Sequence, residues 1–187
     1  GGLDAAITRE LLRAIMAEVD RVAVNGAGTT EPLGLLQDPD IPVVSIGTDG
    51  GALAWSHLCD MEESAAGVPG QLSWLTNAKV RKSLRKTARA AGLDFCMSGS
   101  DLLGYPLRVS ANVASDLTKG SGTDLSALVH GAFEHLLVCI WGPAALDVVV
   151  NPYQHSIGQV VRITGFMDVA VGVRYPSAFA VCKDIDA

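Results

Sequence analysis

The sequence predicts an α+β fold, and three observations carry that prediction. Residues 3–24 repeat apolar side chains at three- and four-residue steps (Leu3, Ile7, Leu11, Leu12, Ile15, Val19, Val22), with charged residues filling most positions between. Beyond residue 100 the pattern changes to short runs rich in Val and Ile, at 107–109, 146–153, 159–173 and 178–183. No low-complexity stretch or flexible linker divides the chain, whose 187 residues suffice for one domain or two small ones.

Taken in order, the helix over 3–24 has a continuous apolar stripe and is expected to pack along its whole length. It stops at Asn25-Gly26-Ala27-Gly28, where Asn25, Gly26 and Gly28 tolerate positive φ, and Pro32 fixes the chain before Leu33-Gly34-Leu35-Leu36. Pro39 and Pro42 favour an extended loop, with a short edge strand over 42–46. Residues 47–51 form a turn, and Thr48 or Asp49 is expected to cap a helix over 52–66 that ends at Gly67-Val68-Pro69-Gly70. Residues 72–75 read as a short buried strand, after which Thr76 or Asn77 caps a helix over 78–91. An irregular stretch over 92–100 precedes a Gly104-Tyr105-Pro106 pivot into a strand at 107–109, and 115–124 reads as a polar loop. Residues 125–141 fit a helical period, although Gly131 lies in the middle. The run 159–173 is expected to kink or bulge near Gly165, and 175–177 to turn into a last strand over 178–183.

Composition narrows function. Apolar residues make up 49% and charged residues 18%, a globular balance, and the formal net charge of −6 argues against a reader of nucleic-acid phosphates. Basic residues nevertheless cluster at Lys79, Arg81, Lys82, Arg85, Lys86 and Arg89. They read either as a solvated helix face with stems laid over apolar surface, or as an electrostatic contact with an acidic neighbour or nucleic acid. Cys59, Cys96, Cys139 and Cys182 are scattered without a C-x-x-C pair and read as reduced, mostly buried thiols. No signal peptide or apolar run of membrane-spanning length is visible, and Gly1-Gly2 reads as an expression scar or the edge of a larger ordered body.

Chemical motifs are sparse. Gly26-Ala27-Gly28-Thr29-Thr30 has the small residues of a phosphate-cradling loop, but it follows a helix rather than a strand, and no Lys follows the second Gly. A small nucleotide- or phosphate-binding enzyme using Gly26–Thr30 is therefore the alternative function. His57 and Cys59 would chelate only on a strand, and His130 and His135 are out of phase for one helical face. No Gly-x-Ser-x-Gly or His-Glu-x-x-His motif occurs, so no catalytic, cofactor-binding or metal-ligating residue is assigned.

Several segments, in order, resemble the major capsid proteins of tailed phages, whose fold is called Hong-Kong-ninety-seven-like. These are the opening helix with its Asn25-Gly26-Ala27-Gly28-Thr29 turn, the strand-to-helix unit at 74–84 with Ala78 where Pro is common, and Leu102-Leu103-Gly104-Tyr105-Pro106-Leu107. Val129-His130-Gly131-Ala132-Phe133 is similar to a Phe-Gly-Asp-Phe turn with departures at 130 and 132, and residues 147–153 and 162–180 match the closing strands. The resemblance implies two short strands around a Gly131 turn in place of a helix over 125–141. It implies a division into 1–30 (helix and turn at a domain boundary), 31–145 (axial domain) and 146–187 (returning strands of the peripheral domain), with 34–51 and 115–124 as tip loops at the capsomer centre. No segment matches the family's N-terminal arm, extended loop or spine helix, so the match is to the carboxy-terminal portion, which alone is expected to stay a monomer or small oligomer.

The function implied is a self-assembling subunit of an icosahedral phage or prophage shell built from pentamers and hexamers. Its partners would be neighbouring copies, with scaffold or portal proteins, and packaged double-stranded DNA enclosed without sequence-specific binding. No membrane and no cofactor are implied. The location would be the virion capsid, after synthesis in the bacterial host cytoplasm.

Overall fold

The computed structural model describes residues 2–89, 94–97, 99–141, 147–155 and 160–187. Its elements are α1 (Gly2–Asn25), β1 (Gly51–Ala52), α2 (Trp55–Ser64), β2 (Leu72–Thr76), α3 (Ala78–Leu84), β3 (Asp101–Leu102), β4 (Tyr105–Val109), β5 (Leu117–Lys119) and β6 (Gly122–Ala132). There follow β7 (Leu136–Trp141), β8 (Asp147–His155), β9 (Val160–Phe166), β10 (Asp168–Val173) and β11 (Phe179–Asp186), with single 3-10 turns at Phe133–His135 and Pro176–Ala178. Residues 90–93 and 142–146, where part of the expected helix end and Gly142-Pro143 fall, lie outside the described residues.

One seven-stranded sheet runs β1-β11-β6-β2-β4-β3, and β5 also pairs with β6. β6 is its axis, antiparallel to β11 (Phe179 opposite Gly131) on one side and to β2 (Trp74 opposite His130) on the other. β2 and β4 are parallel, as a crossover through α3 requires. Side-chain alternation sends Leu128 of β6 and Ala180 and Cys182 of β11 to one face, where they meet Leu58 and Met61 of α2 and Val80 and Leu84 of α3. Ala127, Val129, Phe179 and Val181 go to the other face, against Val24 at the end of α1 and Leu35, Leu36 and Ile41. Both faces of β6 are covered, so 125–132 is buried without a gap and shows no polar–apolar alternation. That explains its helix-like reading, and the strands implied by the resemblance are what forms.

The remaining strands make a ribbon of two separate two-stranded antiparallel sheets. β7 pairs with β10 from Leu136 opposite Val173 to Trp141 opposite Asp168, and β8 pairs with β9 from Asp147 opposite Phe166 to His155 opposite Val160. The return strand divides at Met167, two residues past the expected kink at Gly165, whose own pairing is regular. The hydrogen-bonded units are therefore β1–β6 with β11, β7 with β10, and β8 with β9.

Other expectations are corrected by particular contacts. The helix expected over 52–66 begins at Trp55, because Gly51–Ala52 pairs with β11; neither Thr48 nor Asp49 caps it. Ala54 is the N-cap, and its N–H donates to His57 Nδ1 at 3.2 Å. Of the two expected residues, Asn77 caps α3, its side chain accepting from Val80 N at 3.0 Å. That helix stops at Leu84 rather than Ala91: Thr87 turns back on Ser83, and Ala88 bridges to Phe95, with Cys96 N donating to Thr87 O at 2.8 Å. Residues 42–46 form no strand, only one bridge between Val43 and Val181. The expected loop over 115–124 is the β5–β6 hairpin. Gly131 is no turn but the last residue but one of β6: a Cβ there would lie 2.5 Å from Ala178 O, and the reversal comes just after, at Phe133–His135.

Candidate functional site

Helix α1 ends with four terminal carbonyls that need partners. The chain supplies them by doubling back: Gly26 N donates to Val22 O at 2.8 Å, Leu35 N to Ala23 O at 3.0 Å and Leu36 N to Val24 O at 2.9 Å. Gly26 is required for this close approach rather than for a positive φ, since a Cβ would sit 2.1 Å from Pro32 O; only Gly28 of the expected three has positive φ, at 75°. The loop's Ala27 N–H donates to Glu31 Oε1 at 2.8 Å, and Arg21 bridges Glu31 and Glu18. The Arg21 guanidinium, then the Ala27 amide, holds the Glu31 carboxyl below its ordinary range. A phosphate at Gly26–Thr30 would therefore meet two carboxylates at the negative end of a helix, and the phosphate-binding alternative has no support.

The two expected tip loops meet over one buried carboxylate. Asp184 of β11 is 2% exposed and accepts from Lys119 Nζ at 2.6 Å, Ser45 Oγ at 3.0 Å and Ile46 N at 3.0 Å, with the Cys182 thiol 3.3 Å from its other oxygen. Burial alone would raise its pKa, but the Lys119 ammonium, the thiol, the Ile46 amide and the Ser45 hydroxyl together bring it down to about 2. Asp49 Oδ1 adds a second tie, accepting from Ser121 N at 2.9 Å. Sequence reading missed Asp184, which has no motif around it.

His130 is fully buried on β6, its ring stacked on Trp74 at 4.0 Å and tilted against Tyr105 at 5.3 Å. Neither ring nitrogen makes a well-formed hydrogen bond, and Ser126 Oγ is likewise unpartnered. Burial pushes the imidazole down to about 4, so it is neutral at neutral pH. Cys96 and Cys182 are buried, and burial pushes the Cys182 thiol up to about 12; Cys59 and Cys139 are exposed, against the expectation of mostly buried thiols. Among the described residues no three His, Cys, Asp or Glu side chains cluster to hold a metal.

What the molecule presents outward is apolar surface. On the ribbon, Trp141, Val149, Val150, Val161 and Phe166 are about half exposed, and Tyr153 is 83% exposed. Leu12 and Met16 of α1 are also exposed; the stripe is buried only from Val19 onward, so α1 packs over its last turns and not along its whole length. Between α1 and the ribbon runs an open groove of about 430 Å³ lined by Ile15, Val19, Val22, Pro32, Phe166 and Met167, and its polar lining is Glu18, Thr30 and Glu31. This is a surface for covering rather than a cleft where polar groups converge on a ligand.

The phage capsid family's profile matches residues 1–184. In structure the chain is similar to the capsid protein of an empty GTA particle, with a TM-score of 0.74 and 16% identity over 98% of this chain and 66% of that one. It is similar to a chain of Gordonia phage Cozz (TM-score 0.66, 17% identity, 100% of this chain and 64% of that one). It is also similar to the SrpI encapsulin of Synechococcus elongatus (TM-score 0.65, 14% identity, 96% and 64%). The chain thus spans about two thirds of the length of these proteins. Among curated proteins none matches significantly.

Proposed function

The chain belongs to the phage capsid family, and from that premise we propose that it is a structural subunit of an icosahedral phage or prophage shell, assembling with its own copies into pentamers and hexamers. Its fold is that of phage major capsid proteins, the Hong-Kong-ninety-seven-like fold. The observation that carries the reading is the ribbon of β7–β10 and β8–β9. A two-stranded ribbon is marginal in water by itself, and this one exposes Trp141, Val150 and Tyr153, so it calls for neighbours.

In this reading the sheet with its pinned loops at 45–49 and 119–121 is the axial part, facing the capsomer centre, and the ribbon with α1 is peripheral. Function then lies in matched edges repeated around symmetry axes, with no catalysis and no cofactor. Scaffold and portal proteins are the further partners, and double-stranded DNA is enclosed without being read, as a net charge of −6 favours. The site of action is the virion, after synthesis in the host cytoplasm.

Electron microscopy of the full polypeptide expressed in bacteria tests this. Five- and six-fold capsomers or closed shells are expected. A protein that stays monomeric at millimolar concentration would overturn the reading, and shells loaded with a protein cargo instead of DNA would point to a nanocompartment.

A further inference from the structure

Charge is segregated along this chain. Six of the fourteen Lys and Arg residues fall between 79 and 89, and no carboxylate occurs between Glu63 and Asp94, so the other eight bases stand among all twenty acids. Lys79, Lys82, Arg85 and Lys86 are exposed. Some of this charge has a local use. Arg81 and Lys82 lie in the last turn of α3, where they offset the helix dipole, and Lys79 Nζ donates to Ser115 O at 2.9 Å. Among the described residues none of the six is in an ion pair with a carboxylate. Asp60 and Glu63, exposed on α2, are equally unpaired.

The Arg89 guanidinium lies over the Trp55 ring at 4.5 Å, which ties the basic segment to the first turn of α2. Asp60 and Glu63 come five and eight residues further along that helix, roughly 8–12 Å down its axis. The basic segment is thus tied to the helix that carries both exposed acids, and among the described residues no ion pair joins the two.

We propose that the surface made by the basic segment and α2 is a copy-to-copy contact in which Lys82, Arg85 and Lys86 of one subunit dock on Asp60 and Glu63 of another. The proposal deepens the shell reading and rests on it. A polyanion such as DNA would gain from the bases but be repelled by the acids beside them, whereas a second copy satisfies both ends at once. A contact that satisfies both ends of the same surface at once relates the two copies by a two-fold axis. Exposed pairs are individually weak, so the contact sets register and orientation and fades with salt, while apolar surface supplies the adhesion.

Charge exchange tests it in the full polypeptide, with sedimentation velocity at low and high salt as the readout. Lys82→Glu with Lys86→Glu should weaken self-association about tenfold, and so should Asp60→Lys with Glu63→Lys. Mixing the two double variants should restore it, as should combining all four substitutions in one chain. Failure of both restorations while the wild type still assembles would overturn this contact and leave the shell reading standing. A wild type that never associates would overturn both. Loss of duplex DNA binding in the Lys82/Lys86 variant, with no restoration on mixing, would assign the bases to nucleic acid instead.

Discussion

His130 and Asp184 are both buried and both titratable, and acid acts on them over different ranges. The imidazole sits at about 4 in the fold against an ordinary 6.5, so the unfolded chain takes up its proton first as pH falls. Its contribution is whole above about 6.5 and gone by about 4, a loss of about 3 kcal/mol. Asp184 runs lower: held at about 2 against 3.8, its contribution is intact above 3.8 and lost as pH falls through 2. Urea unfolding at pH 7, 5 and 4 should therefore show stability falling over a window that belongs to the histidine. His130→Phe, which keeps an aromatic ring against Trp74, should flatten that slope; an unchanged slope would refute the assignment. Neither role was legible beforehand. The bonds to Asp184 join residues 139 and 65 positions apart, and His130 looked like half of an out-of-phase pair because nothing nearby in sequence reveals that Trp74 stacks on it.

Helix α1 divides into two halves with different duties. Val22 and Ala23 are buried under the returning 33–36 segment, whereas Leu12 and Met16 face outward. Leu12→Ala should change stability by less than about 0.5 kcal/mol, and Val22→Ala should cost about 1–2 kcal/mol, both read from chemical denaturation. Amide exchange should follow the same gradient, fast before residue 16 and slow after residue 19. Existence and type of this element were legible because a 3.6-residue period over 24 residues has no competitor. Side-chain chemistry narrowed the cap of α3 to Thr76 or Asn77, and the structure picks Asn77. The stop at Leu84 was not, because α3 is ended by Thr87 turning onto Ser83 and by pairing with Phe95, neither of which a string of Lys, Arg and Ala advertises. β6 was misread from period because alternation disappears when a strand is covered on both sides. The resemblance corrected that reading but put the reversal at Gly131, where close packing against Ala178 and Phe179 in fact demands the missing side chain.

At the scale of the molecule, a sheet packed on both sides carries a ribbon that is dressed for contact. Val150 and Tyr153 are 58% and 83% exposed, so replacing both with Lys should leave the unfolding free energy of the isolated subunit within about 0.5 kcal/mol. The same pair should suppress capsomers and shells in electron micrographs; normal shells would show that this part of the ribbon is not covered on assembly. The order of strands has another consequence. β11 is inserted between β1 and β6 although it is synthesised after both, at the end of the described strands. While the ribosome is still translating residues 179–186, β6 has an open edge and Asp184 is not yet in place to gather Ser45 and Lys119. In the proposed shell reading, a nascent chain would thus not have its loops ready for its neighbours until β11 has emerged, which would hold back polymerisation until then.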